Sequence, residues 1–119
     1  MGNTRQTGAK YEEMAADYLM GKGYEILERN YRNRFGEIDI IAQKEQCIIF
    51  IEVKYRSSNR SGSPLEAVDE RKQHQLSRVA YFYCGTKAQG EDTPCRFDVI
   101  AIDLEGQIQH IENAFDFQR

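Results

Sequence analysis

Two apolar runs near the middle of the chain predict its clearest element, a β-hairpin. Residues 38–42 and 48–53 have the length of strands and are rich in β-branched and aromatic side chains. They flank a short polar stretch at residues 44–46, which suits a tight turn centred between Glu45 and Gln46. We therefore expect a hairpin whose two strands are well buried.

Side chains alternate between the two faces of a strand, so the position of this turn also predicts which residues share a face. One face carries apolar side chains alone: Ile40, Ala42, Ile49, Ile51 and Val53. The opposite face begins with Ile41 across from Phe50. It ends in three charged residues, with Asp39 across from Glu52 and Lys54 beside them. Candidate chemistry therefore lies at the charged end of that face.

The rest of the chain predicts two helices and three more strands around the hairpin. The predicted elements are a helix over residues 8–20, capped by Thr7 and ended by Gly21 and Gly23; a strand over 24–31; a helix that starts at Ser63-Pro64, is broken near Asp69 and runs to about Cys84; a strand over 95–103; and an edge strand over 107–111. The order α-β-β-β-α-β-β predicts an α/β fold in which helices flank a central mixed β-sheet. We expect one domain over residues 1–119, with residues 1–6 and 113–119 frayed.

Composition excludes several classes of protein and of site. The chain has 119 residues and no apolar run of the ~18 residues that a membrane span needs. Its N-terminus lacks the apolar core of a signal peptide, so we expect a cytoplasmic protein with no membrane partner. Three cysteines without a CxxC spacing argue against a disulfide framework or a zinc site and predict free thiols. His74 and His110 are isolated, which favours surface or hydrogen-bonded histidines over metal ligands.

The net charge is −3, but the charges are unevenly distributed. Residues 91–119 hold seven acidic and two basic side chains, whereas residues 1–90 hold twelve acidic and fourteen basic ones. Two runs without acidic residues, 29–34 and 54–60, flank the hairpin and offer candidate contacts to nucleic-acid phosphates. The candidates are Arg32, Arg34, Arg56 and Arg60. Ordinary loop surface explains these short basic runs about as well.

Asp39 and Glu52 would place two carboxylates across from each other on neighbouring strands. Like charges in that position destabilise a sheet, so the pair calls for a compensating cation. Magnesium suits it, because Mg²⁺ often sits on one or two carboxylates together with substrate phosphate. Lys54 shares their face and is placed to hold a phosphate oxygen or to orient an attacking water. The alternative is a solvated ion pair of Lys54 with Glu37 or Glu52.

The first predicted helix offers one further carboxylate. Glu12 lies at the margin of the apolar stripe of that helix, whereas its neighbour Glu13 points away. Glu12 is therefore the helical carboxylate that is able to approach a site on the sheet. A solvated helix flank is the ordinary alternative for such a residue.

The order of elements, with Asp39 on the second strand and Glu52-Val53-Lys54 on the third, resembles the PD-(D/E)xK nuclease superfamily. That superfamily has the restriction-endonuclease-like fold and includes archaeal Holliday junction resolvases. More closely, the chain resembles the small bacterial YraN-like family. The matching segments span about residues 8–103 and are Glu12-Glu13-Met14-Ala15, Gly36-Glu37-Ile38-Asp39 with Ile40-Ile41-Ala42, Phe50-Ile51-Glu52-Val53-Lys54-Tyr55-Arg56, Lys72-Gln73 and Arg96-Phe97-Asp98-Val99. One position departs from the pattern: the superfamily's proline before the aspartate is Ile38 here.

The resemblance implies a Mg²⁺ (or Mn²⁺) centre and assigns a role to each matching residue. It implies Asp39 and Glu52 as metal ligands, the Val53 carbonyl as an additional ligand, and Glu12 as the carboxylate that resolvase-like members add. It implies Lys54 as the catalytic lysine. Lys72 and Gln73 would reach the same site from the second helix, Lys72 as a nucleic-acid contact and Gln73 as a catalytic residue.

Three functions are compatible with these residues. The first is a magnesium-dependent nuclease acting on DNA, with branched or structured DNA among the candidate substrates. The second is a non-catalytic nucleic-acid-binding module on the same fold, and the third is a protein-interaction module that docks through the acidic segment 91–119. The resemblance to resolvases also favours a homodimer, since a monomer of this size could hardly span a DNA junction.

Overall fold

The computed structural model describes residues 4–56, 68–86 and 93–118, with side chains from residue 8 onward. Its elements are α1 (Thr4–Gly21), β1 (Glu25–Asn33), β2 (Gly36–Lys44), β3 (Cys47–Arg56), α2 (Glu70–Thr86), β4 (Cys95–Asp103) and β5 (Ile108–Phe115). This order confirms the predicted α-β-β-β-α-β-β arrangement. The predicted strand over residues 95–103 has the observed bounds of β4.

The five strands form one mixed sheet in the order β1-β2-β3-β4-β5. Neighbouring strands are antiparallel except for β3 and β4, which run parallel. A parallel pair needs a crossover connection, and α2 supplies it. The strands that carry the candidate chemistry, β2 and β3, therefore lie inside the sheet, while β1 and β5 form its edges.

The central hairpin has the register that its sequence predicts. Its paired residues are Ile40 with Ile51, Ile41 with Phe50, Ala42 with Ile49, Gln43 with Ile48 and Lys44 with Cys47. Glu45 and Gln46 both have positive φ, at 52° and 68°. Positive φ at both central residues is the geometry of a type I′ turn, whose twist matches that of the flanking strands.

Each helix covers one face of the sheet. On the α1 side, Ile40, Ala42, Ile49, Ile51, Ile100 and Ile102 pack against Ala15, Ala16 and Leu19. On the α2 side, Ile41, Ile48, Phe50, Phe97 and Val99 pack against Leu76, Val79, Ala80 and Tyr83. The two apolar clusters confirm the predicted division of the hairpin into faces.

The first helix begins earlier than predicted and ends where predicted. It starts at Thr4, so Thr7 lies within the helix and does not cap it. At the other end, Gly23 has a φ of 90° and donates to the Met20 carbonyl at 3.1 Å, while Tyr24 donates to the Leu19 carbonyl at 3.0 Å. These two bonds form a Schellman motif, which needs a residue of positive φ and so favours glycine.

The second helix begins at the predicted break. Asp69 Oδ1 accepts a hydrogen bond of 2.8 Å from the Lys72 N–H, so Asp69 caps the helix that starts at Glu70. The predicted start at Ser63-Pro64 lies outside the described residues. The last strand extends beyond its predicted end to Phe115, whose ring stacks on that of Phe97 at 4.7 Å.

Two expectations from composition can be compared with the described part of the chain. Its helices include none that is long and apolar enough to cross a membrane. Cys47, Cys84 and Cys95 are free thiols, as the absence of a paired spacing predicted.

Candidate functional site

The site begins where the β2–β3 ladder opens. The last registered pair of this ladder is Ile40 with Ile51, although β3 continues its pairing with β4 as far as Arg56. Beyond that pair, Asp39 Oδ2 accepts a hydrogen bond of 2.8 Å from the Val53 N–H. The side chain of Asp39 thus takes the place of a backbone acceptor on β2. The expected direct pairing of Asp39 with Glu52 is not part of the ladder, but the opening still brings their carboxyls together.

Asp39 and Glu52 are in direct contact through their carboxyl groups. Burial, together with the charge of Glu52 and the hydrogen bond to it, raises the pKa of Asp39 to about 8. The charge of Glu12 contributes to this rise in pKa, while the Val53 N–H opposes it. Two carboxylates this close cannot both ionise cheaply without a cation between them. In the absence of a cation, the raised pKa therefore favours the protonated form of Asp39 at neutral pH.

Glu12 approaches this pair from α1, as predicted. Burial raises the pKa of Glu12, with the charges of Glu37 and Glu52 adding to the rise and a hydrogen bond with Asn30 opposing it. Glu12, Asn30 and Asp39 line a small cavity of about 140 Å³. The neighbouring Glu13 instead forms an exposed ion pair with Arg29.

Asn30 is a contact of the site that sequence reasoning did not find. It adopts a φ of 53°, a conformation that asparagine tolerates better than most residues. Asn30 lies in the middle of β1, and its side chain forms a hydrogen bond with Glu12 across the gap between α1 and the sheet. Nothing in the strand pattern of residues 24–31 marks the position, so only the packing of α1 reveals it.

Two lysines approach Glu52 from different elements. Glu52 is only 6% exposed, and its Oε2 lies 3.7 Å from Lys54 Nζ and 3.6 Å from Lys72 Nζ. Lys54 follows on β3, whereas Lys72 comes from the first turn of α2. The anticipated Lys54–Glu52 ion pair is therefore present, and Lys72 joins it. Lys54 and Lys72 are about one-third exposed, so both also reach solvent.

Among the other predicted site residues that the structure describes, Val53 touches the Asp39 carboxyl and Gln73 has a different partner. Gln73 donates its side-chain amide to the Val68 carbonyl at 3.0 Å, which fixes the chain just before α2. Val53 contributes its N–H to Asp39, and the ligand role of its carbonyl stays a prediction. Arg56 ends β3, and Arg60 lies outside the described residues.

Two predicted arginines lie at the β1–β2 turn. Arg32 pairs with Glu37 at 3.5 Å and remains largely exposed. Arg34 places its guanidinium 4.9 Å from the ring centre of Phe35 and 5.8 Å from that of Phe82. The turn thus presents one arginine in an ion pair and one held against aromatic rings.

The donor atoms at this centre suit one kind of divalent cation site. In residues 4–56, 68–86 and 93–118, no group of three or more His, Cys, Asp or Glu side chains is arranged to hold a metal ion. Mg²⁺ often uses only one or two carboxylates and keeps several waters as its remaining ligands. The contact between Asp39 and Glu52 supplies those two carboxylates, so the residues fit Mg²⁺ bound with waters rather than a closed protein cage.

A second buried carboxylate, on β4, serves a different purpose. Asp98 is 1% exposed and bonds to Arg96 at 3.0 Å, to His110 Nε2 at 2.7 Å and to the Asn113 N–H at 2.9 Å. Arg96 also contacts Glu112 at 2.9 Å. His110 is therefore a hydrogen-bonded histidine, as expected, and this cluster joins β4 to β5.

Comparison with known proteins identifies the family. The family model described as uncharacterised protein family UPF0102 matches residues 11–102. This chain belongs to family UPF0102. UPF0102 proteins of Lachnoclostridium phytofermentans (45% identity, 96% of both chains) and Thermodesulfovibrio yellowstonii (47% identity, 92% of this chain and 96% of the other) are similar along almost their whole length. The UPF0102 protein of Trichlorobacter lovleyi is 52% identical over 88% of this chain and 86% of its own. The expected YraN-like membership is thereby confirmed.

Among solved structures, the UPF0102 chain is similar to Pyrococcus furiosus SfsA in complex with Ca²⁺. The match covers 92% of this chain and 64% of the other, with 14% sequence identity and a TM-score of 0.40. A likeness at this level supports no conclusion about function. Membership of the PD-(D/E)xK superfamily stays a prediction from the motifs.

Proposed function

We propose that this UPF0102 protein is a Mg²⁺- or Mn²⁺-dependent nuclease that hydrolyses phosphodiester bonds in DNA. One observation carries the proposal: the carboxyls of Asp39 and Glu52 meet where the β2–β3 ladder opens, with two lysines beside them. A structural role explains this arrangement poorly, because the buried acidic pair raises the pKa of Asp39 far above its usual range. A bound divalent cation and an anionic phosphate together would compensate these charges.

The roles of the side chains follow from their positions. Asp39 and Glu52 would hold the cation, which would polarise the scissile phosphate and lower the pKa of an attached water. Glu12 lines the same small cavity as Asp39, where its carboxylate would accept a hydrogen bond from a water molecule. Lys54 and Lys72 offset negative charge that develops on the phosphoryl oxygens. Both keep their ammonium groups close enough to Glu52 to be oriented before substrate arrives.

Cleavage assays on defined DNA structures test the proposal. Labelled linear duplex, single-stranded, flapped and four-way-junction DNA are incubated with Mg²⁺ or Mn²⁺ and with wild-type or Lys54→Ala protein. We expect the wild type to cut at least one of these substrates and Lys54→Ala to be at least 100-fold slower. Equal cutting by both proteins would remove Lys54 from the mechanism. An absence of cutting on all four substrates with either metal would overturn the nuclease.

The non-catalytic nucleic-acid-binding module remains the second candidate because basic side chains gather beside the site. Lys54, Arg71, Lys72 and Arg78 line one groove next to Glu52. Binding of one DNA structure without cleavage would support this candidate. The protein-interaction hypothesis has less support. Asp98 of its acidic segment is buried, and the exposed Glu112 is already paired with Arg96, so the two offer less charge to a partner.

A further inference from the structure

A groove of about 660 Å³ runs along α2 beside the two carboxyls. The residues that matter for its chemistry are Phe35, Lys54, Arg71, Lys72, Gln75 and Arg78. Only Lys54 and Lys72 were expected at a site from the sequence. The remaining four side chains come from the β1–β2 turn and from the exposed side of α2.

The groove is strongly cationic although the whole protein is acidic. Of the described residues that line it, four are basic and one, Asp69, is acidic; the Asp69 carboxylate already caps α2 through the Lys72 N–H. Arg71 and Arg78 are exposed and form no ion pair with any carboxylate among the described residues. Within the described residues these two guanidinium groups thus stay exposed with no carboxylate in an ion pair, which suits a site for an anionic ligand.

The basic residues follow one line along the helix. Arg71, Gln75 and Arg78 are spaced i, i+4, i+7, so they form a single stripe on α2. At 1.5 Å per residue, Arg71 and Arg78 lie about 10 Å apart along the axis, which suits two phosphates of one strand. Lys72, next to Arg71, contacts Glu52 at 3.6 Å, so the stripe leads directly to the carboxyls.

An aromatic ring lies on the other side of the groove. Phe35 sits in the β1–β2 turn, where its ring packs edge-on against Phe82 at 6.0 Å. The turn also rests on α2, since the Gly36 backbone approaches the side chain of Gln75 closely. Phe35 is thus a fixed ring in a basic groove. Single-strand binding sites combine these two features, because bases stack on the ring while cations hold the backbone.

We propose that this groove binds a single-stranded segment of DNA, with successive phosphates on Arg71 and Arg78 and a base stacked on Phe35. The inference rests on the proposed nuclease function for the path of the bound strand. A strand in this groove would place its next phosphate beside Lys72 and Glu52. Single-stranded DNA and the unpaired arms of flapped DNA are then the preferred substrates. A blunt duplex cannot offer an unstacked base to Phe35.

Binding is measured separately from cleavage by using fluorescence anisotropy in EDTA. The probes are a labelled single-stranded oligonucleotide and the same sequence as a blunt duplex, each over a range of salt concentrations. We expect the wild type to bind the single strand at least 10-fold more tightly than the duplex. Equal affinities for the two probes would overturn the proposal.

Four variants separate charge from stacking. Arg71→Gln with Arg78→Gln should weaken single-strand binding at least 10-fold and reduce the salt slope by about 1.4, because each phosphate contact on a single strand contributes about 0.7. Phe35→Leu should weaken binding ~5- to 100-fold with an unchanged salt slope, whereas Phe35→Tyr should keep wild-type affinity. Lys10→Gln, on α1, combined with Lys22→Gln, just after α1, removes the same net charge and serves as the control. If the arginine variant behaves like this control, or Phe35→Leu binds like the wild type, the groove is not the binding site.

Cleavage by the same variants with Mg²⁺ distinguishes this inference from the nuclease proposal. Loss of single-strand binding by the groove variants, with no cleavage by any protein, supports the groove and rejects the nuclease. Normal binding and cleavage by the groove variants rejects the groove and keeps the nuclease. Thermal melts identify any variant that is unfolded, and Phe35→Tyr still tests the stacking role by retaining the ring.

Discussion

At the scale of single residues, Asp39 sets the character of the site. Its carboxyl accepts a hydrogen bond from the Val53 N–H, which a backbone carbonyl of the neighbouring strand would ordinarily accept. This bond places the Asp39 carboxyl against that of Glu52. The same carboxyl is thus a structural acceptor and a candidate metal ligand. Its two roles can be separated by substitution, because asparagine keeps an acceptor oxygen but loses the negative charge.

Asp39→Asn should remove the stabilisation of the protein by divalent metal while leaving it folded. A ligand that binds only the folded state stabilises it by an amount that grows with the logarithm of ligand concentration above Kd, so wild-type protein should melt at a higher temperature when Mg²⁺ or Mn²⁺ is added. Thermal melts with and without metal provide the measurement. Glu13→Gln, which removes an exposed carboxylate near the same cavity, is the control and should keep the shift. A metal-induced shift that persists in Asp39→Asn would exclude Asp39 as a ligand.

The raised pKa of Asp39 also predicts how stability depends on pH. Its folded pKa, about 8, lies above its ordinary value of 3.8, so the folded protein binds this proton more tightly than the unfolded chain does. Its contribution to stability is therefore complete below about pH 4 and is lost as the pH rises towards 8. One such proton changes the free energy of unfolding by at most about 1.4 kcal/mol per pH unit.

Urea unfolding of metal-free protein between pH 5 and pH 8.5 checks this dependence. We expect wild-type stability to decrease across the range and Asp39→Asn to show a much flatter profile. Saturating Mg²⁺ should flatten the wild-type profile as well, because the bound cation favours the ionised carboxyl. Parallel profiles for the wild type and Asp39→Asn would contradict the assignment of this titration to Asp39.

At the scale of elements, two contacts fix how the strands meet their neighbours. The β1–β2 turn lies against α2 at Gly36, and the buried cluster around Asp98 joins β4 to β5. The first contact shapes the groove next to the site. The second holds an edge strand in place.

Gly36→Ala should destabilise the turn. Gly36 has a φ of 146°, a conformation that other residues rarely adopt, and a Cβ there would lie 2.8 Å from the side-chain nitrogen of Gln75. The flexible amide of Gln75 can move, so most of the lost stability should come from the strained backbone, at about 1–3 kcal/mol. Urea unfolding measures the loss. Adding Gln75→Ala should recover only a small part of it; full recovery would show that the side-chain contact and not the φ angle is responsible.

Asp98→Asn should cost about 3 kcal/mol, as expected when a buried ion pair loses one partner. Burial alone would raise the pKa of Asp98, but hydrogen bonds from His110, Arg96 and the Asn113 N–H outweigh it and hold the pKa below its ordinary value. The stability that Asp98 contributes is thus present above its unfolded pKa and is lost as the pH falls through its folded pKa. The wild type should therefore lose stability below about pH 4, a loss that Asp98→Asn should lack.

Glu112→Gln is the matched control for this cluster. Its side chain is 61% exposed at the outer end of the same network, so its removal should cost less than about 1 kcal/mol. Chemical denaturation at pH 7 and pH 3.5 compares the two variants. Similar losses for Asp98→Asn and Glu112→Gln would mean that the buried pair contributes no more than a surface pair.

At the scale of the whole molecule, the separation of charge is the main feature. The net charge of −3 conceals a cationic side formed by α2, the end of β3 and the β1–β2 turn. The acidic C-terminal segment partly balances itself, because Arg96 engages two of its carboxylates. Attraction to a polyanion is thus a local property of one side.

Removing the charges of Arg56 and Arg60 together should weaken DNA binding and make it less dependent on salt. Each contact with a duplex phosphate contributes about 0.9 to the salt slope, so Arg56→Gln with Arg60→Gln should reduce the slope by about 2. Binding isotherms at four salt concentrations give the slope, with Lys10→Gln and Lys22→Gln as the control pair. An unchanged slope would mean that this end of β3 and the segment after it do not touch phosphate.

Local patterns along the chain predict the order of the elements and the register of the central hairpin. The alternation of apolar residues and the short turn at Glu45-Gln46 are local signals. Because each face of the hairpin is buried, a different register between β2 and β3 would move apolar side chains to the wrong face. The sequence also singled out Asp39, Glu52 and Lys54 as a group, because they lie at the charged end of one face.

How these groups meet, and what surrounds them, follows from the way the helices and strands pack together. The opening of the ladder at Asp39, the approach of Lys72 to Glu52 and the hydrogen bond from Asn30 to Glu12 each join segments that are distant in sequence. So does the groove between α2 and the β1–β2 turn. Such contacts depend on which faces of the two helices pack against the sheet. The pattern of neighbouring residues in the sequence does not specify that packing directly.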